Sequence, residues 1–190
     1  RVVGFGLRGW AGLVDESQLA PEDLEPFTYD SLPLVGPGDE VWHGAKGYAA
    51  SLEMLEALWA EAANTSEPFD AILGFSQGAL TAATFVAHLQ ANDLPLPRAA
   101  ILCGGFRIPF PIEAAPFWPP REPLRVPSLH VIGVRDTVVA PCRSEELVRD
   151  FADAETHTHE LIGSPRAYAG HVLPWDGAFH DRVATLLHSA

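Results

Sequence analysis

Short apolar runs and longer stretches with apolar residues at helical spacing alternate along this chain. The runs Val2–Gly6, Asp70–Phe75, Arg98–Cys103 and Val126–Val134 are too short for helices and end at glycine or turn residues, so they predict strands. Phe27-Thr28-Tyr29 and Thr158–Ile162 predict two further short strands. Between them, Ala45–Ala63 places Leu52, Leu55, Leu58 and Trp59 at helical spacing. Ala79–Gln90, Ser144–Phe151 and Asp176–His188 predict three more helices, the last with Asp176 or Gly177 near its cap. A Pro/Gly-rich loop is expected from Pro33 to Gly44, and no internal repeat is present.

Strands alternating with helices imply parallel strands joined by crossover helices. Ala99-Ala100-Ile101-Leu102 has no polar position, as expected of a strand covered on both faces. The expected fold class is therefore α/β, a mostly parallel sheet with helices on both faces.

One segment departs from this pattern. Ile108–Pro127 contains seven prolines with Phe110, Phe117 and Trp118 among them. Proline at that density excludes a helix or a central strand. The segment is either a rigid surface crossover or a wall over an apolar pocket at the C-terminal ends of the strands. Phe106 and Phe110, which follow a strand end, favour the wall.

Composition narrows the function classes. The chain has 190 residues, 47% hydrophobic and 19% charged, which suits one globular domain with a sizeable core. Twelve basic residues against 25 acidic ones leave a net charge of −13, and the pI is near 4.8. Such a surface repels phosphate backbones and anionic membranes, so nucleic acid is not an expected partner. No run approaches the length of a membrane span, and no signal-peptide pattern is present. Cys103 and Cys142 belong to no metal-binding pattern, so free thiols in a reducing, cytoplasmic setting are expected, with no metal or cofactor. The start at Arg1 rather than Met is expected of an excised or truncated piece of a longer protein.

The chemistry centres on Gly74-Phe75-Ser76-Gln77-Gly78, a G-x-S-x-G pattern between a strand and a helix. That context makes a nucleophile elbow, a tight turn that lifts a serine above the sheet at a helix N-terminus. Serine is a weak nucleophile unless a base takes its proton and an acid orients that base. On such a fold the order along the chain is serine, acid, histidine. Asp136 follows the apolar strand Val131–Val134, with Gly133 permitting close packing beside it. His171, in Gly170-His171-Val172-Leu173-Pro174, precedes the last helix. The other histidines lie early in the chain (His43), within helices (His88, His180, His188) or in a strand (His130). His157 and His159 begin or lie in a short strand, and His159 is the second candidate base. Asp150 and Asp153 lie on or beside a helix, and Asp70 stands at the wrong end of its strand.

Three stretches carry a resemblance to a known family: Pro68–Ala79 around the elbow, Val131–Pro141 with Asp136 and Val139, and Gly170-His171 with Pro174. Together they resemble the FSH family of serine hydrolases, a branch of the α/β-hydrolases, from about Pro26 to the end of the chain. The acyl-protein thioesterases share the G-F-S-Q-G elbow, but the Gly-His-x-x-Pro loop and the proline-aromatic segment favour FSH. The resemblance implies Ser76 as nucleophile, His171 as general base and then acid, and Asp136 as its orienter. The family usually has His-Gly after its first strand, where this chain has Phe5-Gly6-Leu7. By position, the N–H groups of Gln77 and Leu7 would then form the oxyanion hole.

A serine carboxylic-ester or thioester hydrolase with an apolar acyl substrate is the expectation, Phe106, Phe110, Phe117 and Trp118 being the candidate acyl-binding residues. A hydrolase-fold domain that binds an acyl ligand or a protein partner without turnover is the competing one. Acyl transfer would use the same acyl-enzyme and stays open.

Overall fold

A computed structural model describes residues 2–5, 48–66, 68–108, 115–162 and 170–189. Strands β1 (Val2–Phe5), β2 (Ala71–Phe75), β3 (Ala99–Cys103), β4 (Ser128–Gly133) and β5 (Ala154–His159) form one sheet in that order. Every neighbouring pair is parallel. Helices α1 (Tyr48–Ala63), α2 (Gln77–Ala91), α3 (Pro141–Val148) and α4 (Gly177–Ser189) flank it. The predicted strand Phe27–Tyr29 and the loop Pro33–Gly44 lie outside the described residues.

Strand periodicity divides the core in two. On β3, Ala100 and Leu102 face one apolar cluster while Ala99, Ile101 and Cys103 face the other. The first cluster receives α1, α2 and α3. The second receives Phe179 and Leu186 of α4 against Ile101, Leu129 and Val131. Both faces of the sheet are thus covered, as the unbroken apolar strands require. Helix α2 is buried along nearly its whole length, from Gly78 to Leu89, so it shows little amphipathic pattern. It lies between the sheet and α1. Tyr48 and Thr84 share a 2.5 Å hydrogen bond across that helix pair, and Trp59 meets Phe85 edge-on at 6.0 Å.

Two elements are shifted from their expected places. The last strand is Ala154–His159 rather than Thr158–Ile162. It borders the sheet among the described residues, and its sequence Ala-Glu-Thr-His-Thr-His is polar because much of it meets water. Leu161 and Ile162, which suggested the strand, lie beyond it and are exposed. Helix α3 begins at Pro141 and ends at Val148, not Ser144–Phe151. Proline suits the first helical position because its missing N–H has no partner there. Phe151 instead bridges to Leu124.

The one histidine in the middle of the sheet, His130, is fully buried. Its Nε2 lies 3.1 Å from Ser128 Oγ, and its ring meets Phe151 edge-on. Burial pushes its pKa down to about 4 from the ordinary 6.5. The unfolded chain therefore takes up a proton at a pH where the folded chain refuses it. Stability from this group is fully present above pH 6.5 and declines as pH falls towards 4, by about 3 kcal/mol in all. Urea unfolding between pH 7 and 4.5 should show this decline, with a shallower slope in His130→Leu. Equal slopes would contradict it.

Candidate active site

All the parallel strands end at one edge of the sheet, and the turns leaving β2, β3 and β4 meet there. Ser76, between β2 and α2, has φ 56° and ψ −124°, a conformation few side-chain-bearing residues adopt. Its N–H donates to the Cys103 carbonyl at 2.8 Å, and its own carbonyl accepts from Ala79 N–H at 2.9 Å. The turn is tight enough that a Cβ on Gly74 would collide with the Gly78 carbonyl and lie 2.6 Å from Ala79 Cα. Glycine is therefore required at that position, as expected for an elbow. Gln77 is the first residue of α2, whose leading N–H groups lack intrahelical acceptors.

His171 and Asp136 are joined at the same edge. His171 Nδ1 lies 2.7 Å from Asp136 Oδ2, and both side chains are almost wholly buried. The other carboxylate oxygen, Oδ1, accepts hydrogen bonds from Val138 N–H and Val139 N–H, each at 2.8 Å. Three donors thus hold the carboxylate. A carboxylate only accepts, so His171 carries its proton on Nδ1 and presents a lone pair at Nε2. Nε2 is buried and has no hydrogen-bond partner among the described residues.

The packing that sets this geometry is backbone on backbone. A Cβ on Gly133 would strike the Gly170 carbonyl, and one on Gly170 (φ +80°) would strike the backbone of Arg135 and Asp136. The imidazole of His171 lies against Phe75, centroids 4.8 Å apart. Beside both stands Gly104 (φ +54°), where a Cβ would lie 3.0 Å from His171 Cε1. His171 therefore sits between the residue before Ser76, the turn after β3 and Asp136. The contributions of Phe75, Gly104 and the Val138–Val139 amides escaped the sequence reading. A residue two or three positions after an aspartate is a recognisable amide donor, but nothing in the sequence pairs Phe75 or Gly104 with a histidine so far along the chain.

The remaining sequence candidates are dispersed. Phe106 and Trp118 are buried in the core beside α2, and Trp118 Nε1 donates to the Ile108 carbonyl at 2.7 Å. Phe117 is partly exposed near the other end of α2, in ring contact with His88 and lining a cleft with Gln90 and Arg125. The structure does not bring Phe117 or Trp118 to Ser76. Leu7 and Phe110 lie outside the described residues. His159 ends β5 beside Gly133 and makes no bond to Asp136 or Ser76. Cys103, next to the elbow, is held as the neutral thiol, burial pushing its pKa up to about 12. Among the described residues no group of three or more His, Cys, Asp or Glu side chains could hold a metal, and no helix is long and apolar enough to cross a membrane.

Residues 25–177 match the model of the serine hydrolase (FSH1) family. The chain belongs to the FSH family of serine hydrolases. It is 40% identical over 134 residues to esterase OVCA2 of Homo sapiens, covering 68% of this chain and 52% of that protein. The chain thus spans about half the length of the curated relatives it matches. Among solved structures, the RedJ thioesterase of the prodiginine pathway in Streptomyces coelicolor superimposes with a TM-score of 0.56 at 16% identity, over all of this chain and 85% of that one. An esterase from Pyrococcus furiosus gives 0.52 at 17% identity, over 80% and 65%. These likenesses establish the α/β-hydrolase fold.

The backbone contacts make a stability prediction. Gly170→Ala would combine left-handed strain with overpacking against Arg135 and Asp136, a destabilisation of about 2–4 kcal/mol. The urea midpoint should fall accordingly. A wild-type midpoint would mean that the turn relaxes freely.

Proposed function

We propose that this chain forms a single FSH-type domain that hydrolyses carboxylic esters or thioesters with an apolar acyl group through an acyl-enzyme on Ser76. The observation that carries the reading is the strained Ser76 turn beside a buried His171–Asp136 pair whose Nε2 is left unpaired. In this reading Ser76 Oγ attacks the acyl carbonyl as His171 Nε2 takes its proton. The carbonyl electrons move to oxygen, and the N–H of Gln77 stabilises that oxyanion at the start of α2. Leu7 N–H is the second donor. The β1–β2 register supports this by setting Phe5 opposite Gly74, each two residues before Leu7 and Ser76 respectively. Collapse of the intermediate expels the alcohol or thiol, which receives the proton from His171. Water then attacks the acyl-enzyme by the same steps, releasing the acid and restoring Ser76. Asp136 keeps the imidazole in the Nδ1–H tautomer and stabilises the imidazolium. No step draws on a metal or cofactor. The free thiols, Cys103 buried and Cys142 exposed, suit a reducing, cytoplasmic setting.

The competing reading, an acyl-binding domain without turnover, draws on the same unpaired Nε2, which makes no hydrogen bond to Ser76. Fluorophosphonate labelling read by intact mass separates the two. The hydrolase reading expects one adduct on the wild type and none on Ser76→Ala. Labelling should slow by about 10³-fold or more in His171→Ala and by roughly 10²–10⁴-fold in Asp136→Asn. A folded wild type that takes no label would leave the binding reading.

A further inference from the structure

Three buried side-chain nitrogens lack a hydrogen-bond partner among the described residues: His88 Nε2, His159 Nδ1 and His171 Nε2. That of His171 faces the proposed chemistry, and that of His88 lies 3.6 Å from Glu56 Oε2. His159 has neither explanation.

Its position says what it supports. His159 is the partner of Gly133 in the β4–β5 register, and its carbonyl accepts from Val134 N–H at 3.0 Å. Neighbouring residues in register point to the same face of a sheet, and Gly133 has no side chain. The imidazole leans into that space, its Cε1 3.1 Å from where a Cβ on Gly133 would stand. The Gly170 carbonyl occupies the rest of it. The ring also meets the backbone of Val172, the residue after His171. His159 thus touches the end of the strand that leads to Asp136 and the turn that carries His171. Burial lowers its pKa from the ordinary value and His157 lowers it further, while Asp136, Asp176 and the Val172 backbone act in the other direction.

We propose that His159 is a positioning residue whose imidazole, packed over Gly133 and against the Val172 backbone, wedges the Gly170–Val172 turn in place and so holds His171 on Asp136. The catalytic consequence rests on the function proposed above, whereas the wedge does not.

The test reads both. The proton on His171 Nδ1, bonded to Asp136, should give a far-downfield NMR signal, assigned by its absence from His171→Ala. In His159→Ala that signal should broaden or vanish while the melting transition remains. Ser76 labelling should slow on the order of 10–100-fold. Ester hydrolysis should lose kcat, with KM within about twofold of wild type. His159→Leu, which keeps the volume but not the polar edge, provides a second folded variant and should show the same losses in milder form. A folded variant of either kind that keeps both the signal and the wild-type labelling rate overturns the proposal. If the wild type shows the signal but takes no label, and the variants lose the signal, the wedge stands and the hydrolase reading falls.

Discussion

The backbone of Gly170 lies against the backbone of the β4 exit turn, with no side chain between them. The pairing of His171 with Asp136 follows from that approach. A Cβ on either Gly133 or Gly170 would push the two turns apart, and the 2.7 Å bond between His171 and Asp136 would not survive a shift of that size. The bond is made by side chains, but its length is set by two glycines that touch neither partner's side chain. The same logic applies at Gly104, whose missing Cβ leaves room for the imidazole. Small residues here serve to bring backbones and a ring within hydrogen-bonding distance, a requirement stricter than that of the apolar core, where a side chain of similar volume is tolerated.

Ser76 presents the complementary problem. Its backbone conformation costs of order 1–3 kcal/mol and persists only if the surroundings impose it. Two features do so. The Ser76 N–H is tied to the end of β3, and α2, which starts at the next residue, is locked between the sheet and α1. Burying Leu80, Phe85, Val86 and Leu89 contributes about 1.5–3 kcal/mol each, more than enough to offset the strained turn. The deeply buried helix α2 and the strained turn at Ser76 are therefore one device.

This also explains what could be read from the sequence. The alternation of elements, the parallel sheet and the elbow were legible because each rests on a local rule: strand length, helical spacing, or glycine at a fixed offset from serine. Asp136 and His171 were legible as positions, since each follows a strand or precedes the last helix in the expected order. Errors fell where local pattern and tertiary setting diverge. Strand β5 is polar because it borders the sheet, so the apolar pair Leu161-Ile162 drew the assignment past its true end. Trp118 looked like a pocket wall by composition, yet its indole is fully buried and bonded to Ile108. Aromatic residues among prolines mark a rigid segment without showing which side of it faces the core.

The electrostatics of the interior narrow the field further. His130, Cys103 and Tyr48 are all buried, and burial drives each towards its uncharged form, with values of about 4, 12 and 12. None of them can exchange a proton near neutrality. Asp136 is as deeply buried but differs in being met by three donors, two of them backbone amides. Hydrogen bonding to the charged form is what allows a carboxylate to remain inside a protein. Among the described residues, the sheet interior thus excludes charge everywhere except at the edge where β2, β3 and β4 end. There a carboxylate, an imidazole with one free nitrogen and a serine at a helix start occupy adjoining turns.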